Sequence, residues 1–444
     1  MEIFPTIEAL LHYSSVHLML DELDFIYARN KILALLNLKD YEEYEINYEE
    51  AESMTSPSEL LNALGNFAVA TKVVSSDETE DLKRKIMDCV IKKPGEMADL
   101  FSGASMAKGF DFLIDYGIKS GYIEPVTKKW EAKATKGKIE VAYTGKGTCA
   151  CGGASKAKKP YPKCKKCADN VGFSDELLKR SVPIELNKER HFLFFKTRPL
   201  MANQGKIVSE FHGAFNVDEK ALNKMFDFAQ LMPNYAIATK ASDHESYNIT
   251  NRPTPFAKAA DLAKFKSKDY PYIGITTVDW YLGAVRLISS NREKLMEYVC
   301  VLKAKWQKAN KDGDIAVSLR KVDANYCLEV IFLSGKEVAS EYASLTNARC
   351  ICNLLGVFAV SKEDEEFFEQ VARFVSKEEK FNAAKLEGDA AKHSEFVNRV
   401  LASAGNAKFS ALEASLEVKD EINRTLENAL LSIAAPIELL QGEF

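Results

Sequence analysis

The sequence predicts an α+β protein in which antiparallel strand pairs pack with helices, flanked by helical regions at both ends. Three observations carry this. Residues 1–128 hold long apolar periodicities at helical spacing and no strand-like alternation. Between 129 and 335 the order strand, strand, helix occurs twice, and from 336 to 444 the pattern is again mainly helical, with charge-rich faces. A chain of 444 residues, 46% hydrophobic and 28% charged, has the composition of an ordinary globular protein with a large core.

In the first region Leu23, Ile26 and Tyr27, with the run from Asn30 to Leu36, mark one helix, and Leu60, Leu61, Leu64, Phe67 and Ala68 mark another. Pro57 suits a helix's first turn, where its missing N–H has no partner to lose, and Pro94-Gly95 marks a second break. From Trp130 to Tyr143 the alternation of Lys138, Ile139, Glu140, Val141, Ala142 and Tyr143 reads as a strand, and a loop rich in Gly, Lys and Cys comes next at 145–170. Residues 191–200 and 205–211 read as two strands and 218–232 as a helix that stops before Pro233. The β-branched and aromatic content of 272–290 reads as paired strands, 292–309 as an amphipathic helix and 315–334 as a hairpin. Residues 362–380 read as a solvated surface helix.

Several function classes are disfavoured at once. The N-terminal apolar stretch is interrupted by His12 and His17 and lacks a basic n-region and a cleavage site, so no signal peptide is expected. No run approaches the roughly 18 uncharged apolar residues of a membrane span, which points to a cytoplasmic protein. Nine unevenly spaced cysteines in such a chain argue for thiols or metal ligands over disulfides. A net charge of −5 gives no general attraction to nucleic acid, so any such role needs a local patch.

The sharpest local signal is Cys149-x-Cys151 and then, after 12 residues, Cys164-x-x-Cys167. Four thiolates from two short turns match the closed tetrahedral set that zinc favours in structural sites; the alternative is that only Cys164 and Cys167 lie close together. Lys156, Lys158, Lys159, Lys163, Lys165 and Lys166 surround the cluster, with one aromatic, Tyr161, to stack on a base. Solubilising surface lysines are the expected reading, ahead of nucleic-acid binding. A second constellation places His244, Ser246 and Asn248 at alternate positions, where a strand would turn all three to one face. Taken alone, these residue types suit either a phosphate contact or ordinary hydrogen-bonded packing.

Several segments in order resemble the type 2, Gram-positive branch of the galactose-1-phosphate uridylyltransferases, of the histidine-triad-like superfamily. LDFIYARNKILALLNL (23–38) resembles that branch's N-terminal helix, and YPKCKKCADNVGF (161–173) its Tyr-Pro-x-Cys-x-x-Cys motif, the most specific match. PLMANQGKIV (199–208), FDFAQLMPNYAI (226–237) and VDWYLGAVRL (278–287) are similar to further family segments. The resemblance implies two histidine-triad-like antiparallel sheet halves and transfer of a uridylyl group between UDP-glucose and a hexose 1-phosphate through a covalent histidine intermediate. It also implies a zinc site and, by analogy, a homodimer. Residue by residue, the family's His-x-His-x-Gln falls on His244-Glu245-Ser246-Tyr247-Asn248, so serine stands at the nucleophile and asparagine at the glutamine; a register shifted by two would put His244 at the nucleophile. Asn203 and Arg286 are the implied substrate contacts. The family's Asn-Glu-His, which supplies a metal-binding histidine, reads Asn203-Gln204-Gly205, so Cys149 and Cys151 are the expected replacements beside Cys164 and Cys167. Because serine lacks an adjacent strong base, the alternative expectation is an inactive relative that binds a nucleotide sugar.

Overall fold

The computed structural model describes residues 2–42, 44, 48–124, 129–133, 138–143, 164, 166–173, 176–267, 269–278, 280, 284–309, 313–333, 350–360 and 438–439. Seven helices come first: α1 (Ile3–Leu18), α2 (Phe25–Leu35), α3 (Tyr48–Ser53), α4 (Ser58–Ala70), α5 (Thr79–Val90), α6 (Pro94–Ser102) and α7 (Met106–Lys119). The next group is β1 (Lys129–Lys133), β2 (Lys138–Tyr143), β3 (Val182–Leu186), β4 (Glu189–Phe195), β5 (Gly205–Ser209), α8 (Glu219–Leu231), β6 (Ala236–Lys240) and β7 (Ser246–Thr250). The last group is β8 (Asp261–Lys266), β9 (Gly274–Val278), β10 (Ala284–Ser289), α9 (Arg292–Ala309), β11 (Asp314–Val322), β12 (Asn325–Leu333), α10 (Ile351–Leu354) and β13 (Val357–Val360). The architecture is therefore mixed helix and antiparallel sheet, as expected. No helix among the described residues is long and apolar enough to cross a membrane. The helix expected at 362–380 lies outside the described residues.

The chain packs as two compact units: residues 1–125, 158–184 and 190–199 form the first, and 126–157, 185–189 and 200–444 the second. In the first unit, α1 packs on α2, α3 and α4 and buries Ile7, Leu10, Leu11 and Tyr13. Pro94 occupies the first position of α6, where Lys93 N–H donates to Glu96 Oε2 at 2.7 Å, so the break read at Pro94-Gly95 is a helix start. Leu23, Ile26 and Tyr27, part of the pattern that marks this helix, are exposed, at 90%, 66% and 62%. The face of α2 that packs on α1 and α5 carries Ala28, Ile32 and Leu33. Between β3 and β4, Asn187 and Lys188 both hold positive φ (49° and 59°), the two-residue loop whose backbone twist matches that of hairpin strands.

In the second unit the strands run β8-β9-β10-β12-β11-β6-β7-β5, every neighbouring pair antiparallel. The order contains one arrangement twice. β5, α8, β6 and β7 lie as β5-β7-β6, and β10, α9, β11 and β12 lie as β10-β12-β11, the two meeting where β6 pairs with β11. Strand alternation then separates two faces. Ile207, Ile237, Tyr247, Ile249, Val285, Leu287, Val317, Leu319, Leu328 and Val330 form the apolar face, buried with α8 and α9 against the sheet. The opposite face is polar, and one ladder row crosses it: Lys206, Asn248, Ala238, Ser318, Glu329, Arg286 and Thr276.

Candidate functional site

The connection from β6 to β7 is pinned at both ends, which fixes the placement of His244 at the entry to β7. Phe215 and Ser242 exchange backbone hydrogen bonds of 2.8 and 3.0 Å, and Ser242 Oγ donates to the His244 carbonyl at 2.6 Å. His244 is fully buried, its Nε2 3.0 Å from the Ser209 carbonyl at the end of β5. A carbonyl oxygen only accepts, so this bond places the proton on Nε2 and leaves the Nδ1 lone pair as the donor. The His212 ring stands edge-on to that of His244, with centroids 5.1 Å apart. Sequence reasoning passed over His212: it is a single histidine after a strand, with no second donor at ligand spacing.

Ser246 and Asn248 sit on β7 and point to the polar face, both buried. Asn248 pairs across the ladder with Lys206 of β5, which is also buried. The Asn248 Oδ1 atom has no hydrogen-bond partner among the described residues. A buried carbonyl oxygen without a hydrogen bond costs free energy until a donor completes it.

Asn203 occupies a turn before β5 at φ +50°, a conformation that asparagine tolerates better than most residues. That turn is fixed by fully buried Gln204, whose Oε1 accepts from Leu200 N–H at 2.9 Å while Nε2 donates to Cys352 Sγ at 3.0 Å. Arg286, the other expected substrate contact, turns its guanidinium inward. It donates to Glu329 Oε1 at 3.1 Å, to Asp261, and to the carbonyls of Phe256, Ala257 and Ala259. It ties the loop before β8 to β10. Glu329 is fully buried, its Oε2 is without a partner among the described residues, and burial raises its carboxyl above the ordinary range while Arg286 and Arg320 pull it down.

Cysteine and histidine groups with the donors to hold a metal ion are present in each unit: Cys164 and Cys167 in the first, His212 and His244 in the second. The Cys164 and Cys167 sulfurs are 3.5 Å apart and buried. Two sulfurs at roughly 2.3 Å from one zinc, at the tetrahedral angle, would lie about 3.8 Å apart, so the spacing fits the group. Asn170 Nδ2 braces the turn by donating to the carbonyls of Cys164 and Cys167, at 2.7 and 3.0 Å. Behind it Arg180 joins the segment to α5 through Asp88 and the Lys92 carbonyl, at 2.8 and 2.6 Å. Cys149 and Cys151, with the lysines from Lys156 to Lys165, lie outside the described residues.

No family model matches the chain. Among curated proteins it is similar to the galactose-1-phosphate uridylyltransferases of Fusobacterium nucleatum (24% identical, 71% of this chain and 67% of that protein) and Bifidobacterium longum (24%, 69% and 66%). The chain thus spans about two thirds of the length of these relatives. A longer match, 21% identical over 96% of this chain and 93% of the other, is with the galactose-1-phosphate uridylyltransferase of Clostridium perfringens. Among solved structures it is similar to yeast Ap4A phosphorylase Apa2, at 12% identity and a TM-score of 0.38, covering 65% of this chain and 97% of that one, a likeness too slight to bear on the fold. Relatives of this one name, at 21–24% identity, match along most of the chain's length, which supports a diverged relationship to the galactose-1-phosphate uridylyltransferases.

Proposed function

We propose that the chain transfers a uridylyl group between UDP-glucose and a hexose 1-phosphate, in the cytoplasm, at the polar face of β7. The relationship to the uridylyltransferases supports the reaction class, and the buried polar side chains Ser246, Asn248 and Lys206 on one face support the place. Lys206, opposite Asn248 in the ladder, brings positive charge to this face, which suits phosphoryl oxygens, whose charge is best met by preorganised donors in a site closed to water. Ser246 lies two residues from Asn248 on the same face of β7. A serine phosphodiester is a poorer donor than a phosphoimidazole because an alkoxide leaves less readily than a neutral ring nitrogen. The reading therefore favours direct attack, in which the hexose 1-phosphate oxygen bonds to the uridylyl phosphorus as glucose 1-phosphate departs.

Incubating the protein with UDP-glucose labelled in the uridylyl phosphate, with and without galactose 1-phosphate, tests this alongside His244→Ala and Ser246→Ala variants. UDP-galactose formed without labelled protein supports direct transfer; a labelled intermediate lost in one variant names the nucleophile instead. Absence of UDP-galactose under every condition removes the transferase reading.

Zinc is the metal inferred for Cys164 and Cys167, on the spacing of their sulfurs and the chemistry of paired thiolates. Cys149 with Cys151 is the candidate pair for the remaining ligands, as the sequence suggests. Cobalt substitution tests this, since the intensity of the sulfur-to-metal absorption counts thiolates. Four thiolates support the four-cysteine set, fewer remove it, and less than half an equivalent of metal in the purified protein ends the zinc proposal.

A further inference from the structure

We propose that Lys224 is a positioning residue for the run His244 to Asn248, acting through Glu245; this rests on reading that run as the reacting centre. Lys224 projects from α8 and is only 2% exposed. Its Nζ lies 2.6 Å from Glu245 Oε1 and 2.8 Å from Glu189 Oε2. Tyr247 Oη donates to the same Glu245 oxygen at 2.7 Å, and burial keeps this phenol protonated by raising its ionisation far above the ordinary value.

The neighbours of Lys224 on α8 include buried Ala221, Leu222, Met225, Phe226 and Phe228, where a methionine or leucine would pack without a desolvation penalty. A buried ion pair is weak evidence for stability, because an apolar replacement of both partners is often as stable. Its value here is geometric. Side chains along a strand alternate, so a slip of one residue would exchange Glu245 and Tyr247 for His244, Ser246 and Asn248. Lys224 holds Glu245 to the helix side, and the Glu245 carbonyl accepts from Ser209 N–H at 3.1 Å, at the β5 edge of the ladder. With both groups of Glu245 fixed, the residues on either side of it face away from α8.

The test compares Lys224→Met with the double variant Lys224→Met/Glu245→Gln in the full chain. Lys224→Met leaves Glu245, whose side chain is 16% exposed, without this cation and is expected to lower the melting temperature. The double variant removes both charges and is expected to recover it. Under the proposal, the double variant keeps its KM for UDP-glucose within about 3-fold of wild type while kcat falls at least 10-fold, a contrast that loss of uniform binding would not give. Recovery of wild-type kcat together with the melting temperature overturns the proposal, because the pair would then be structural only. The 15N signals of the His244 ring supply a readout independent of turnover. If the wild-type protein makes no UDP-galactose, the transferase reading fails by itself. Positioning is then judged on these signals: a changed Nε2 environment in the stable double variant sustains it, and an unchanged one overturns it.

Discussion

Gly356 separates α10 from β13, and its replacement by alanine tests the packing of the second unit at one atom. Its φ is +87°, and an added Cβ would lie 2.6 Å from Trp280 Cη2 and 2.9 Å from Pro255 Cβ. Two costs result. An L-residue held at such a φ loses about 1–2 kcal/mol. Forcing a methyl into a filled core costs about 1–3 kcal/mol, and relief is restricted because Trp280 is fully buried and its Nε1 donates to the Leu354 carbonyl at 3.1 Å. Against this, alanine lowers the entropy of the unfolded chain by about 0.4–1 kcal/mol. Gly356→Ala is therefore expected to destabilise the unit by about 2–4 kcal/mol. Urea unfolding monitored by tryptophan fluorescence is the assay, since Trp280 and Trp306 are both buried in this unit. Gly213→Ala serves as the control, because nothing lies within 4 Å of its added Cβ and its φ is unremarkable, so it should stay within about 1 kcal/mol of wild type. A Gly356→Ala midpoint within about 1 kcal/mol of wild type at an unchanged slope would refute the reasoning.

Glu329→Gln should gain stability relative to wild type as pH rises. Burial raises the folded carboxyl's pKa, so its stabilising contribution is complete below the unfolded value and is lost as pH climbs through the folded one, whereas glutamine stays neutral throughout. Melting temperatures of the two proteins at pH 4.5 and pH 8 check the sign, and a difference that is flat or shrinks with pH contradicts it. Asp218→Ala should cost about 1 kcal/mol in the same urea assay, because the Asp218 side chain caps α8 by accepting from Ala221 N–H at 2.8 Å, and Asp218→Asn should retain most of that. Equal losses for the two would show that the charge at the helix start, rather than the hydrogen bond, is what matters.

The elements most legible in the sequence were those whose pattern and burial share one cause. The helix read at 292–309 forms as Arg292–Ala309, and the hairpin read at 315–334 as Asp314–Val322 and Asn325–Leu333, because their apolar positions all face one core. The helix marked by Leu23, Ile26 and Tyr27 forms as Phe25–Leu35, but periodicity does not show which of its faces a neighbour claims. Here α1 and α5 take the face of Ala28 and Ile32. In the candidate site, the shared face of Ser246 and Asn248 was legible from alternation alone. His212 was not, since its place beside His244 depends on how the chain after β5 returns to the start of β7. Nor was the inward turn of Arg286, because a lone arginine in a strand gives no sign of the five carbonyl and carboxylate partners that the fold assembles around it.

The two halves of the second unit carry different side chains at matching ladder positions. At matching positions in the ladders, β5 and β7 set Lys206 opposite Asn248, while β10 and β12 set Arg286 opposite Glu329. Each pair puts a cation beside an oxygen acceptor on the polar face. In the second half the cation's donors are spent on Asp261, Glu329 and three backbone carbonyls, so the pair acts as a bolt between the loop before β8 and the sheet. In the first half the acceptor is a neutral amide, which brings no negative charge to the row and whose Oδ1 is unfilled among the described residues. Between the two pairs, the row passes through the small side chains of Ala238 and Ser318 on the central strands. A glutamate at position 248 would convert the first pair into a second bolt. The asparagine keeps the balance of charge in this part of the row favourable to a phosphate, which is the property a nucleotidyl-transfer site needs and a purely structural sheet does not.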